Sequence, residues 1–200
     1  MSEIGFLAAP EVTKEVQRLF DEDLAEMGYI PNVSKLWAYQ PSVANGLFDL
    51  ITEAVASQKL TFRHRAILIA ACASTLGDSY GSFSWGTGLA GVTDAHTAAG
   101  VLRGNDEQLS DEERAMAIWA RKVADDPNST SADDVQALRD AGFTDEQIFA
   151  ITTFVGLWLA FSTINDALGL RPDAVLRSSA PEEVVDAIRF GRPVDDDQTE

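Results

Sequence analysis

The sequence predicts an all-α protein. Three observations carry that expectation: apolar residues recur at helical spacing along most of the chain, polar caps precede the apolar runs, and no segment alternates convincingly as a strand does. Val12, Val16, Phe20 and Leu24 recur every four residues and form one stripe, which Gly28 ends before the turn Tyr29-Ile30-Pro31-Asn32. A short helix holds Val33, Leu36 and Trp37. Pro41 and Ser42 open the next, with Val43, Leu47, Leu50, Ile51 and Val55 along its face. Thr61 is placed to cap a helix over 62–76 that is apolar on nearly every side, with Gly77 and Asp78 at its end. A further helix runs from about Ser79 to Leu89.

The second half is punctuated more sharply. Thr93 and Asp94 begin a short helix that Gly104 closes. Ser110 and Glu113 form a capping box ahead of Ala115, Ile118, Trp119 and Val123. A loop over 127–131 leads to a helix over 133–141, closed by Gly142. Thr144 and Gln147 then box the start of a long helix that reaches Leu168, with Gly169 as its stop. Its core, 149–161, is apolar but shorter than the roughly 20 residues a membrane span needs, so a buried helix is expected. After Pro172 the chain turns acidic: 180–200 holds seven acids and two arginines. Residues 181–190 suit one short helix, and 195–200 a frayed tail.

Composition narrows the functional classes. Fifteen Lys and Arg stand against 32 Asp and Glu, a net charge of −17. That balance opposes nucleic-acid binding and anionic membrane surfaces, both of which need clustered cations. Cys72 is the only cysteine, so no internal disulfide forms. The first residues lack the basic and apolar regions of a signal peptide, and a cytoplasmic protein is expected. His64 and His96 have no matching cysteine or carboxylate pattern, so no metal site and no cofactor is expected. Gly86, Gly88 and Gly91 follow no strand and make no dinucleotide fingerprint.

The order of these pieces resembles the alkylhydroperoxidase D-like (carboxymuconolactone decarboxylase) family, in its peroxidase-related branch. The resemblance rests on Met27 to Asn32 followed by a Trp-containing helix and Gln40-Pro41, on Leu60-Thr61-Phe62-Arg63-His64-Arg65, on Val101-Leu102-Arg103-Gly104 with Leu109-Ser110, on Ala141-Gly142-Phe143-Thr144-Asp145-Glu146-Gln147-Ile148, and on Ala167-Leu168-Gly169-Leu170. It spans about residues 20–172. It implies an orthogonal helical bundle as a single domain over 1–172, an acidic C-terminal extension over 173–200, and a homo-oligomer assembled through the helices around the reactive motif.

Redox members of that family carry Glu-x11-Cys-x2-Cys-x3-His. Two thiols three apart at a helix start lie side by side, and the helix dipole favours a thiolate. The Glu and His relay the proton that activates it, and the second thiol closes a disulfide after attack on a peroxide. Aligned on Gly77-Asp78-Ser79-Tyr80-Gly81-Ser82-Phe83-Ser84-Trp85-Gly86, this chain places Ala66 at the Glu, Asp78 and Gly81 at the two cysteines and Trp85 at the His. The disulfide-forming mechanism is therefore not expected.

What remains implies a non-thiol enzyme that performs acid–base chemistry on a small organic metabolite, since the family includes lactone decarboxylases. Asp78 is the candidate acid or base; the commoner role for an Asp after Gly77 is a helix N-cap, and the two roles are compatible. Tyr80, Ser82, Trp85 and His64 are candidate substrate-binding residues. Each has an ordinary alternative as a packing or surface residue. Arg63 and Arg65 suit either an acidic substrate group or pairing with neighbouring carboxylates. Two further readings stand beside the first: a non-catalytic ligand-binding or scaffold protein, and residual alkylhydroperoxidase-type antioxidant activity through Cys72. An apolar setting such as Ile69-Ala70-Ala71-Cys72-Ala73 keeps a thiol inert.

Overall fold

Cap chemistry sets the helix boundaries. The computed structural model describes residues 3–195 and contains eleven α-helices there. These are α1 Lys14–Met27, α2 Asn32–Trp37, α3 Pro41–Ser57, α4 Phe62–Leu76, α5 Ser79–Val92, α6 Ala95–Arg103, α7 Asp111–Asp125, α8 Ala132–Asp140, α9 Asp145–Ala167, α10 Ala174–Ser179 and α11 Glu182–Ala187. Thr61 Oγ1 accepts from the His64 amide and starts α4. Gly77, at φ 75, ends it in the left-handed conformation that glycine adopts freely. The Ser110/Glu113 and Thr144/Gln147 boxes form as expected, and a third, Ser131/Asp134, opens α8.

α4 is the central post. Ala66 to Ala73 are all buried, and α5, α6, α7 and α9 pack around them. Alanines at 66, 70, 71 and 73 let neighbouring helices approach closely, which is why an all-round apolar helix of small residues occupies the centre. α9 is 23 residues long and, by length and composition alone, apolar enough to cross a membrane. Within the fold it packs against α3, α7 and α4, burying Ile151, Phe154, Val155, Trp158 and Phe161.

Several expectations need correction. Residues Glu3–Ile4 and Leu7–Ala8 form a two-stranded antiparallel hairpin, β1 and β2, whose few residues carry no readable alternation. The α1 stripe is not a buried face: Val16 is buried, but Val12 and Leu24 are exposed, because α1 lies at the edge and packs mainly on α2 and α3. On α3 the inward residues are Ala44 and Ile51, whereas Val43 and Leu50 face outward. α5 continues past Leu89 to Val92.

The segment after Pro172 is folded onto the bundle. α11 packs on α6 and α5, with Val184, Ala187 and Ile188 buried. Asp173 is wholly buried, and the Asp195 amide donates to the Pro172 carbonyl at 2.7 Å. Residues 196–200, most of the expected frayed tail, lie outside the described residues.

Candidate functional site

Asp78 is the N-cap of α5 and 2% exposed. One carboxylate oxygen accepts from the Gly81 amide at 2.8 Å, and the other from the Ser162 hydroxyl of α9 at 2.7 Å. Burial raises its pKa above the usual carboxylate range, and these hydrogen bonds offset only part of that rise. No cation is paired with it among the described salt bridges. Asp166, one turn beyond Ser162 on α9, is pushed up to about 6, first by burial and then by the negative charge of Asp78.

Gly81 and Asp78 fit one another. A Cβ added at Gly81 would stand 2.5 Å from Asp78 Oδ2 and 3.2 Å from Ala73 Cβ. The two positions that the resemblance assigns to cysteines are therefore not independent. The carboxyl fills the space that a side chain at 81 would need.

The other candidates point in different directions. Tyr80 donates to Asp173, in the segment between α9 and α10, at 3.1 Å, and Asp173 also accepts from the Asn32 amide at 2.9 Å. Burial, then the charge of Asp173, pushes the Tyr80 phenol far up, so it stays neutral. Ser82 is wholly buried, and its hydroxyl has no hydrogen-bond partner among the described residues. Trp85 is half-buried in an aromatic row. It stacks on Phe62 (centroids 5.7 Å apart) and meets Trp158 edge-on at 5.5 Å. Trp158 contacts Phe161, and Phe161 stacks on Trp37. The indole Nε1 of Trp158 is buried with no acceptor among the described residues.

His64 stands apart from Asp78. It occupies the first turn of α4, whereas Asp78 follows the last turn, some 20 Å along the axis at 1.5 Å per residue. His96 is exposed beside Glu183 at 3.5 Å. Arg63 pairs with Glu113, its Nη2 donating to Oε2 at 3.0 Å. Arg65 lies over the Phe62 ring. Cys72 is 0% exposed, and burial pushes its thiol up to about 12. Among the described residues, no group of three or more His, Cys, Asp or Glu is placed to hold a metal.

Sequence reasoning missed Ser162, Asp166, Trp158 and Asp173. The usable signal was Ser162, Thr163, Asn165 and Asp166 gathered at the end of a helix whose middle is mostly apolar. A buried Ser there needs a polar partner.

A small-residue post flanked by α5 and α9, with α5 capped by the residue at the reactive-motif position, defines the class of fold: the alkylhydroperoxidase AhpD-type helical fold of peroxidase-related proteins. No protein-family profile and no curated protein matches the chain. Among solved structures it is similar to a peroxidase-related protein from Silicibacter sp. TM1040, at TM-score 0.77 and 20% identity over 88% of this chain and 95% of that one. A peroxidase-related protein from Ralstonia eutropha JMP134, described as an alkylhydroperoxidase AhpD core, has TM-score 0.68 and 21% identity over 96% of this chain and 100% of that one. The debrominase Bmp8 has TM-score 0.72 and 14% identity, covering 94% of this chain and 100% of its own.

Proposed function

We propose that this chain is an AhpD-fold enzyme without peroxidatic thiols, and that it exchanges a proton with a small organic metabolite through Asp78. One observation carries the reading: a carboxyl at the start of α5, biased toward its protonated form by burial, shares a 2.7 Å hydrogen bond with Ser162. Protonated, Asp78 acts as an acid. Once ionised, it is held by the Gly81 amide and the Ser162 hydroxyl at a helix N-terminus, which favours the anion. The aromatic row from Phe62 to Phe161 suits a flat, apolar substrate. The similarity in fold to a debrominase, whose cysteine-to-alanine variant was crystallised with 2,3,4-tribromopyrrole, makes pyrroles a sensible first probe.

The test is solvent deuterium incorporation, followed by NMR, into a panel of pyrroles, phenols and lactones. Wild type should exchange at least one of them. Asp78→Asn should abolish the exchange while its melting temperature stays close to that of wild type. Exchange that survives Asp78→Asn would overturn the reading.

A non-catalytic ligand-binding or scaffold role is the second reading. It is favoured by the near-complete burial of Asp78 and by the use of both its oxygens within the chain. Saturable binding with no exchange by wild type would select it. The antioxidant reading needs Cys72, and slow native-state labelling of that thiol would remove it. The chain is also proposed to act as a homo-oligomer, since Phe149 is 75% exposed and Val43, Phe48 and Leu50 lie outward on α3. Light scattering during gel filtration reads that directly.

A further inference from the structure

Arginines in this acidic protein mostly meet carboxylates: Arg63 with Glu113, Arg121 with Asp106, Arg139 with Asp145, and Arg171 with Asp195. One groove departs from that habit. It has a volume of about 320 Å³, lies beside α11, and is lined by Arg177, Arg189 and Arg192 together with Phe83, Ile188 and Phe190. The Arg177 side chain is exposed and has no hydrogen-bond or ion-pair partner among the described residues. Arg189 is paired with Asp186, an exposed carboxylate three residues away on its own segment. Arg192 gives Nη2 to the main-chain carbonyl of Asp166 at 2.9 Å and lies over the Phe6 ring, while its Nε is buried without an acceptor. Asp166 is the carboxylate whose charge Arg192 feels.

Among the described residues, Arg177 meets no carboxylate, the exposed Asp186 pairs with Arg189 alone at little gain, and Asp166 is coupled to Arg192, so the groove keeps donor capacity to spare. The planar donor forks of the arginines match the two oxygens of a carboxylate or the oxygens of a phosphate. Apart from the arginines, the side chains that line the groove are apolar, Phe83, Val185, Ile188, Phe190 and Val194 among them. We propose that this groove binds a small organic anion: a carboxylate carried on an apolar ring or chain. The apolar wall distinguishes that ligand from a bare inorganic anion, which would use only the arginines. The site is separate from Asp78 in its residues and does not rest on the acid–base reading. It adjoins the same helix, because Ser79 donates to the Arg192 carbonyl at 2.9 Å.

The test uses the full chain at low ionic strength, with benzoate as the probe in calorimetric titration, inorganic phosphate as the second arm and chloride as the ionic-strength control. Benzoate should bind saturably and at least about tenfold more tightly than phosphate. The double variant Arg177→Gln/Arg189→Gln, both exposed positions, should keep its melting temperature and weaken benzoate at least about tenfold, as expected for losing two solvent-exposed charged donors. Absence of saturable benzoate binding would overturn the proposal, as would equal affinity of the double variant. Phosphate binding as tightly as benzoate would also overturn it, because the apolar wall would then have no part. Deuterium exchange at Asp78 is read independently, so failure of one idea is distinguishable from failure of the other.

Discussion

Glu113 and Asp78 are both buried carboxyls in the first turn or cap of a helix packed on α4, yet the fold treats them oppositely. Glu113 closes the α7 capping box and accepts from Arg63, whose hydrogen bonds hold it below the usual carboxylate range. Asp78 has only neutral donors, the Gly81 amide and the Ser162 hydroxyl, and burial holds it above that range. The difference teaches which carboxyl has a proton to give. A carboxylate locked by a guanidinium is a structural tie, whereas one desolvated among neutral donors can change protonation state at modest cost.

The largest expected effect lies on the structural side of this comparison. Glu113→Ala leaves Arg63 without its partner and breaks the box. It should cost about 3 kcal/mol in urea unfolding. A loss as small as that of an exposed ion pair would erase the contrast. Next, Gly81→Cys forces a Cβ against Asp78 and should cost about 2 kcal/mol. The pair Asp78→Ala/Gly81→Cys should be destabilised less than the sum of the two single variants. Additive losses would break the claim that positions 78 and 81 share one space.

The pH dependence sharpens the same contrast. Asp166 titrates near 6 in the folded chain, above its unfolded value. Its contribution to stability is therefore full below about pH 4 and is lost as pH rises through about 6. Glu113 has the opposite sign: its contribution is present above the unfolded pKa and is lost as pH falls through its lowered folded value. Asp166→Asn should flatten the decline between pH 4 and 7, an effect on the order of 1 kcal/mol after discounting for its partial exposure. The unfolding midpoint measured across that window checks it. Asp78→Asn should have the smallest effect, about 0.5 kcal/mol, because the amide oxygen still accepts from Gly81 and the amide group still reaches Ser162.

Much of the fold was legible from local signals. Thr61, Ser110 and Thr144 start helices where their side chains can accept a nearby amide, and Gly28, Gly77 and Gly104 stop them where φ is positive. The site was legible only in part. Asp78 was found, but the residues grouped with it scattered: Tyr80 turned to Asp173, Trp85 to the aromatic row, and His64 to the far end of α4. Residues close in sequence on a helix point to different faces, so a motif read along the chain does not yield a cluster in space.

By itself, then, the sequence determined the helices, the central place of the small-residue segment and the identity of the acid at the head of α5, because caps, stops and periodicity act over three or four residues. The tertiary structure alone decided that Ser162, 84 residues away, meets Asp78, that Gly81 leaves the room Asp78 occupies, and that Arg192 reaches the carbonyl of Asp166. Those contacts depend on how helices cross, and desolvation, which sets the protonation state of a carboxyl, exists only once they have.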